Sequence, residues 1–109
     1  MTYQDITDLC ASFGIPSTYY VFQEGTDQAP PFLCWYFTDS ADFYADDENY
    51  QQIRPMRLEL YTDYKDFTLE AQIEQGLKAH GITFSREETY LDDERMLMVT
   101  YFMEVIING

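Results

Sequence analysis

Carboxylates are the most abundant chemistry-bearing side chains in this chain. Asp and Glu number 20 against 6 Lys and Arg, a formal charge of −14 over 109 residues. Asp39, Asp42, Asp46, Asp47 and Glu48 fall within ten residues. Such oxygens suit Ca²⁺ or Mg²⁺, and paired carboxylates carry out glycoside hydrolysis. The spacing supports neither chemistry. There is no Asp-x-Asp-x-Asp-Gly run and no glycine to make the sharp turn, and twenty acids in a small chain create close pairs by chance. The single His80 closes a predicted helix, where a cation suits the dipole. Without a second histidine or a reactive cysteine beside it, Ser-His and Cys-His triads are not expected. No glycine-rich phosphate loop and no cysteine pair at zinc spacing occurs. Cys10 and Cys34 fall in apolar patterns and read as buried thiols. The expectation is a protein with no catalytic residues, no cofactor and no metal.

The charge excludes further classes. Phosphate-gripping nucleic-acid binders need clustered Lys and Arg, and docking on anionic membranes needs a basic face. Residues 1–53 contain nine acids and no Lys or Arg, so all six basic residues lie from Arg54 onward. The aromatic content, 10 Tyr, 8 Phe and 1 Trp, is that of a folded chain rather than an acidic tail. It also exceeds the usual need of a core this size, and Tyr is favoured where proteins meet. Phe43, Tyr44 and Tyr50 interleave the acidic segment. Trp35 and Tyr101 sit in strands apolar on both faces. These five are the candidate interface aromatics, and the five acids of 39–48 form the candidate partner-facing loop.

The elements that position these residues follow from periodicity. Residues 2–13 predict a helix, with Thr2 and Asp5 as a capping box and Ile6, Leu9, Cys10 and Phe13 as one stripe. Gly14 and Pro16 stop it. Residues 18–23 and 32–38 predict strands around a Gly/Pro loop, and 32–38 does not alternate, so either both its faces are covered or one meets a partner. Residues 39–50 predict an exposed loop. Residues 53–62 alternate, with Met56, Leu58 and Leu60 on one face and Arg57, Glu59 and Tyr61 on the other. Residues 66–80 predict a second helix, lined by Leu69, Ile73, Gly76 and Leu77, with Glu70 and Glu74 on the wet side and Lys78 paired to Glu74. Residues 82–91 and 95–107 predict a hairpin whose second strand is interior or interfacial. The order α-β-β-β-α-β-β defines one α+β domain, a mainly antiparallel sheet flanked by two helices. The N-terminus has neither a basic region nor an apolar core of a signal peptide, so synthesis in a reducing cytosol is expected, and no apolar run approaches a membrane span.

Several stretches carry a family resemblance. They are Pro30-Pro31-Phe32, the segment 40–50 (Ser-Ala-Asp-Phe-Tyr-Ala-Asp-Asp-Glu-Asn-Tyr), the segment 57–66 (Arg-Leu-Glu-Leu-Tyr-Thr-Asp-Tyr-Lys-Asp), Gly81-Ile82-Thr83-Phe84 and the segment 88–96 (Glu-Thr-Tyr-Leu-Asp-Asp-Glu-Arg-Met). Together they resemble small head–tail connection proteins, or minor capsid proteins, of long-tailed phages and prophages of Gram-positive bacteria, tail terminators among them. The resemblance implies a non-enzymatic virion subunit at the head–tail junction. Such a subunit forms a homo-oligomeric ring, usually hexameric, between tail tube protein and a head-completion or connector protein, with DNA passing through without specific binding. A ring needs two different sticky surfaces per subunit, and an acidic lumen would repel passing phosphates. Charge alone admits another class: an acidic DNA mimic acting as an anti-restriction or anti-defence inhibitor.

Overall fold

In the computed structural model, residues 1–23, 28–38, 43–44 and 51–108 are described, with backbone alone at 43, 44 and 51. The first helix, α1 (Tyr3–Ala11), starts as the sequence predicts. The Asp5 amide donates to Thr2 Oγ1 at 3.1 Å, and the Thr2 amide donates to Asp5 Oδ2 at 2.8 Å. The backbone bond to Asp5 holds its carboxyl below the usual carboxylate value. Gly14, with φ +78°, turns the chain away after the helix.

Five strands form the main path of the sheet: β1 (Ser17–Tyr19), β2 (Phe32–Phe37), β4 (Gln51–Thr62), β6 (Met96–Asn108) and β5 (Phe84–Leu91), in that spatial order. Only β1–β2 is parallel. A two-residue strand, β3 (Phe43–Tyr44), pairs with Ile53 and Gln52 of β4, so the stretch expected to be all loop also contributes to the sheet. Helix α2 (Phe67–Ala79) links β4 to the β5–β6 hairpin, with Asp66 Oδ1 accepting from the Leu69 amide at 3.0 Å. The observed α+β order is the predicted one with β3 added.

Both helices pack on one face of the sheet. Ile6, Leu9 and Cys10 of α1, Phe13 just beyond it, and Leu69, Ile73 and Leu77 of α2 join Leu33, Trp35, Met56, Leu58, Leu60, Val99, Tyr101, Met103 and Val105 in one core. The sheet residues all share one parity, as a pleated sheet requires. The other parity faces away from the helices. Strand β1 is shorter than the predicted 18–23. It ends at Tyr19 because Tyr20 adopts φ +70°, and the Val21 amide then donates back to the Tyr19 carbonyl at 3.0 Å. This turn carries residues 20–22 over the outer face. It also explains why β2 does not alternate. Leu33 and Trp35 belong to the helix-side core, Phe22 of the turned segment packs on Phe32, and Cys34 is buried as well, so both faces of the strand are buried.

Gly76 is where α2 approaches α1. A Cβ there would lie 2.6 Å from Phe13 Cε1, and Phe13 is buried. Gly-to-Ala usually gains up to about 1 kcal/mol inside a helix. Here overpacking, typically about 1–3 kcal/mol, outweighs that gain. We expect Gly76→Ala to lower the urea midpoint; a raised midpoint would show that Phe13 gives way freely.

Candidate binding face

Two polar constellations stand out, one on each face of the sheet. On the helix side, the α2 carboxylates meet β5. Glu70 was expected on the wet side of α2, yet it is 2% exposed. Its Oε1 accepts from Lys65 Nζ at 2.8 Å and Arg86 Nη2 at 2.6 Å. Glu74, expected to pair with Lys78, instead accepts from Arg86 Nη1 at 2.6 Å and the Tyr101 hydroxyl at 2.9 Å. Glu88 closes the set with Lys65 and Arg86. Helical periodicity placed these acids opposite the leucines. It did not show that β5 would bring a guanidinium alongside, which makes burial of Glu70 tolerable.

Arg86 is the hub of this clasp, with its guanidinium also 5.8 Å from the Tyr101 ring centroid. The hydrogen bond from Lys65 holds Glu88 below the usual carboxylate range. Its folded value is depressed, so its contribution is present above the unfolded value and is lost as pH falls through the folded one. Burial first, then the bond to Glu74, pushes the Tyr101 phenol up, so it stays a neutral donor. The arrangement uses every nearby cation to hold carboxylates in place and thus reads as a structural clasp.

The outer face is built in cross-strand rows. Phe32, Tyr61, Met98 and Thr89 form one row, Cys34, Glu59, Thr100 and Glu87 the next, and Tyr36, Arg57, Phe102 and Ser85 a third. Beyond them Pro55 faces Glu104, and Ile53 faces Ile106. No described helix covers these rows. Ile53 and Ile106 are 41% and 49% exposed. The Arg57 guanidinium lies 5.1 Å from the Phe102 ring centroid.

Glu59 occupies the middle of this face. Its Oε2 accepts from the Tyr36 hydroxyl at 3.0 Å and its Oε1 from the Tyr61 hydroxyl at 2.8 Å. Burial, followed by that bond to Glu59, pushes the Tyr61 phenol above its ordinary value. Around it, Phe32 and Tyr61 stack at 4.8 Å and 18°, Phe22 meets Phe32 edge-on at 5.4 Å, and Tyr20 lies 5.1 Å from Tyr36. These rings, with Cys34, Leu91, Glu94 and Met96, bound a depression of about 460 Å³.

The sequence-predicted site residues divide three ways. Asp39, Asp42, Asp46, Asp47, Glu48 and Tyr50 lie outside the described residues, and Phe43 and Tyr44 are described as backbone alone. Trp35 and Tyr101 are inner-face residues, 6% and 0% exposed; their rings belong to the core shared with both helices, which removes them from the exposed surface of the folded chain. His80 caps α2, with Nδ1 3.0 Å from the Gly76 carbonyl oxygen. The thiols are buried, Cys10 pushed up to about 12 and Cys34 to about 11 by desolvation. Sequence reasoning placed Glu59 and Tyr61 on one face of β4. It missed that Tyr20, Phe22, Phe32 and Tyr36 join them, because the turn at Tyr20 breaks an apparently continuous strand.

No protein-family model matches the chain, and no curated protein matches it. Among solved structures, its fold is similar to that of a chain in the virion of a native gene transfer agent particle. The TM-score is 0.59 at 13% identity, covering 98% of this chain and 91% of that one. The similarity is one of fold over nearly the whole of both chains.

Replacing Arg86 by Met keeps the stem and removes the charge shared by Glu70, Glu74 and Glu88. Loss of one partner from a buried pair costs about 3–5 kcal/mol; Arg86 is a third exposed, so we expect a loss of about 2–3 kcal/mol by denaturant unfolding after discounting for screening. For Glu88→Gln the expected loss at pH 7 is below about 1 kcal/mol, and the gap to the parent closes as pH falls through the carboxylate range. A gap that widened in acid would contradict the assigned pairing.

Proposed function

We propose that this chain is a structural virion protein, a tail terminator or head–tail joining subunit that forms a ring docking the tail tube to the head connector. The observation that carries the reading is the fold it shares, over 98% of its length, with a chain of a phage-like virion particle. The segment resemblance to phage connection proteins points the same way. Within the described residues, the polar clusters hold structure or line an open face, which suits a protein that acts by shape and binding rather than by bond-making chemistry. Its partners on this reading are further copies of itself, tail tube protein and a head-completion protein, and its location is the virion.

Heterologous ring contacts require two unlike surfaces. The open outer face, with Ile53, Ile106 and Phe102, is one of them on this reading. The acids of 39–48 rim the channel or meet the next ring, and a chain of charge −14 repels the DNA that passes. Such a charge also supports a second reading, a DNA mimic that occupies the nucleic-acid site of a basic enzyme.

Solution mass and electron microscopy separate the two. A ring subunit gives a defined multimer, alone or on tail tubes, and particles lacking it show tails of irregular length or unjoined heads. A monomer that competes with DNA for a nuclease would replace the ring reading with the mimic.

A further inference from the structure

We propose that the depression around Glu59 is a receptor for an arginine side chain presented by a partner protein. That the partner is a protein of the assembly rests on the reading above; the chemistry of the pocket does not.

Among the described residues, Glu59 has no ion-pair partner. The helix-side acids Glu70, Glu74 and Glu88 all have one. Glu59 is held by two neutral phenols instead, Tyr36 and Tyr61. They fix the plane of the carboxylate without neutralising it. Each oxygen keeps acceptor capacity, since an ionised carboxylate offers about four lone-pair sites. The outer-face cation Arg57 lies over Phe102 and beside the Tyr36 hydroxyl, and it forms no ion pair with Glu59. Among the described residues no basic side chain lines the depression, while a second acid, Glu94, does.

The walls select the kind of cation. Phe22, Tyr61, Tyr20 and Tyr36 line the same depression as this carboxylate, with Phe32 buried against Phe22 and Tyr61. A cation over aromatic faces is stabilised by the ring quadrupole. A guanidinium is planar, stacks on rings and forks onto a carboxylate, whereas an ammonium is compact and strongly hydrated. A volume of about 460 Å³ admits such a side chain together with part of its backbone. Tyr20 completes the wall from a left-handed backbone conformation, φ +70°, that non-glycine residues seldom adopt and that tends to persist at functional sites. The residue is 60% exposed, the position of a rim rather than a core residue.

The test uses the purified full chain and N-acetyl-arginine-N-methylamide as probe, followed by NMR at the Tyr20, Tyr61 and Met96 side chains. The lysine compound and the neutral citrulline isostere serve as comparisons. We expect saturable shifts at these residues with arginine, weaker binding of lysine, and none of citrulline. Glu59→Gln keeps the shape of the side chain and one acceptor oxygen, puts an amide donor in place of the other and removes the charge. It should weaken arginine about fivefold, the difference between a charge-assisted and a neutral hydrogen bond. Tyr20→Ala, at the exposed rim, should weaken it two- to fivefold and decides the matter if Glu59→Gln does not fold. Equal shifts with arginine and citrulline, shifts mapping elsewhere, or unchanged affinity in folded variants would overturn the proposal. The readout is independent of assembly. A monomeric protein that still binds arginine here would refute the ring alone, and a ring that ignores the probe would refute the pocket alone.

Discussion

Everything in this molecule hangs on the β4–β6 ladder, which pairs Gln51 with Asn108 at one end and Thr62 with Leu97 at the other. It is the longest pairing in the sheet. Its inner parity supplies Met56, Leu58, Leu60, Val99, Tyr101, Met103 and Val105, the floor on which both helices rest. Its outer parity supplies Glu59, Tyr61, Met98 and Phe102, which no described helix covers. One ladder therefore fixes both the core and the face that the helices leave uncovered. A register slip of one residue would exchange the two.

The two faces treat charge differently. On the inner side, α2 and β5 assemble Glu70, Glu74 and Glu88 around Lys65 and Arg86, so cations are spent where burial makes unpaired carboxylates costly. On the outer side, Arg57 stacks on Phe102 and Glu59 is left with phenols. With only six basic residues against twenty acids, the ion pairs among the described residues reach only Glu70, Glu74 and Glu88. The outer face is where a carboxylate outside those pairs is both oriented and reachable. This makes the net charge more than an avoidance of phosphate, because it leaves an anion in an aromatic setting for something else to meet.

Much of the architecture was legible in the sequence because it rests on local signals. The Thr2–Asp5 cap, the Leu69-Ile73-Leu77 stripe and the alternation through Met56, Leu58 and Leu60 all appear as read, while α1 ends at Ala11 with Ser12 as its C-cap, two residues before the expected end. What escaped depends on contacts distant in sequence. Glu70 lies three positions before Ile73, within the turn that packs on the sheet, and only Arg86 from β5 makes its burial tolerable. Tyr20 sits in a β-branched and aromatic run, and the backbone turn that takes it out of the ladder has no glycine to announce it. Trp35 and Tyr101 were proposed as interface anchors because their strands are apolar on both faces. Parity then assigned them to the helix side, and outer-face neighbours such as Tyr36 and Phe102 remain for contact.

The central claim is that the outer sheet face is where this subunit meets a partner. Methionine oxidation tests it directly, since Met96 and Met98 belong to that face and Met56 and Met103 to the core. Free subunit and assembled particles are exposed to a brief peroxide pulse and sulfoxide is quantified at each methionine. The account predicts that Met96 and Met98 react in the free subunit and are protected in the particle, with Met56 and Met103 protected in both. Equal oxidation of Met96 and Met98 in the two states would contradict it.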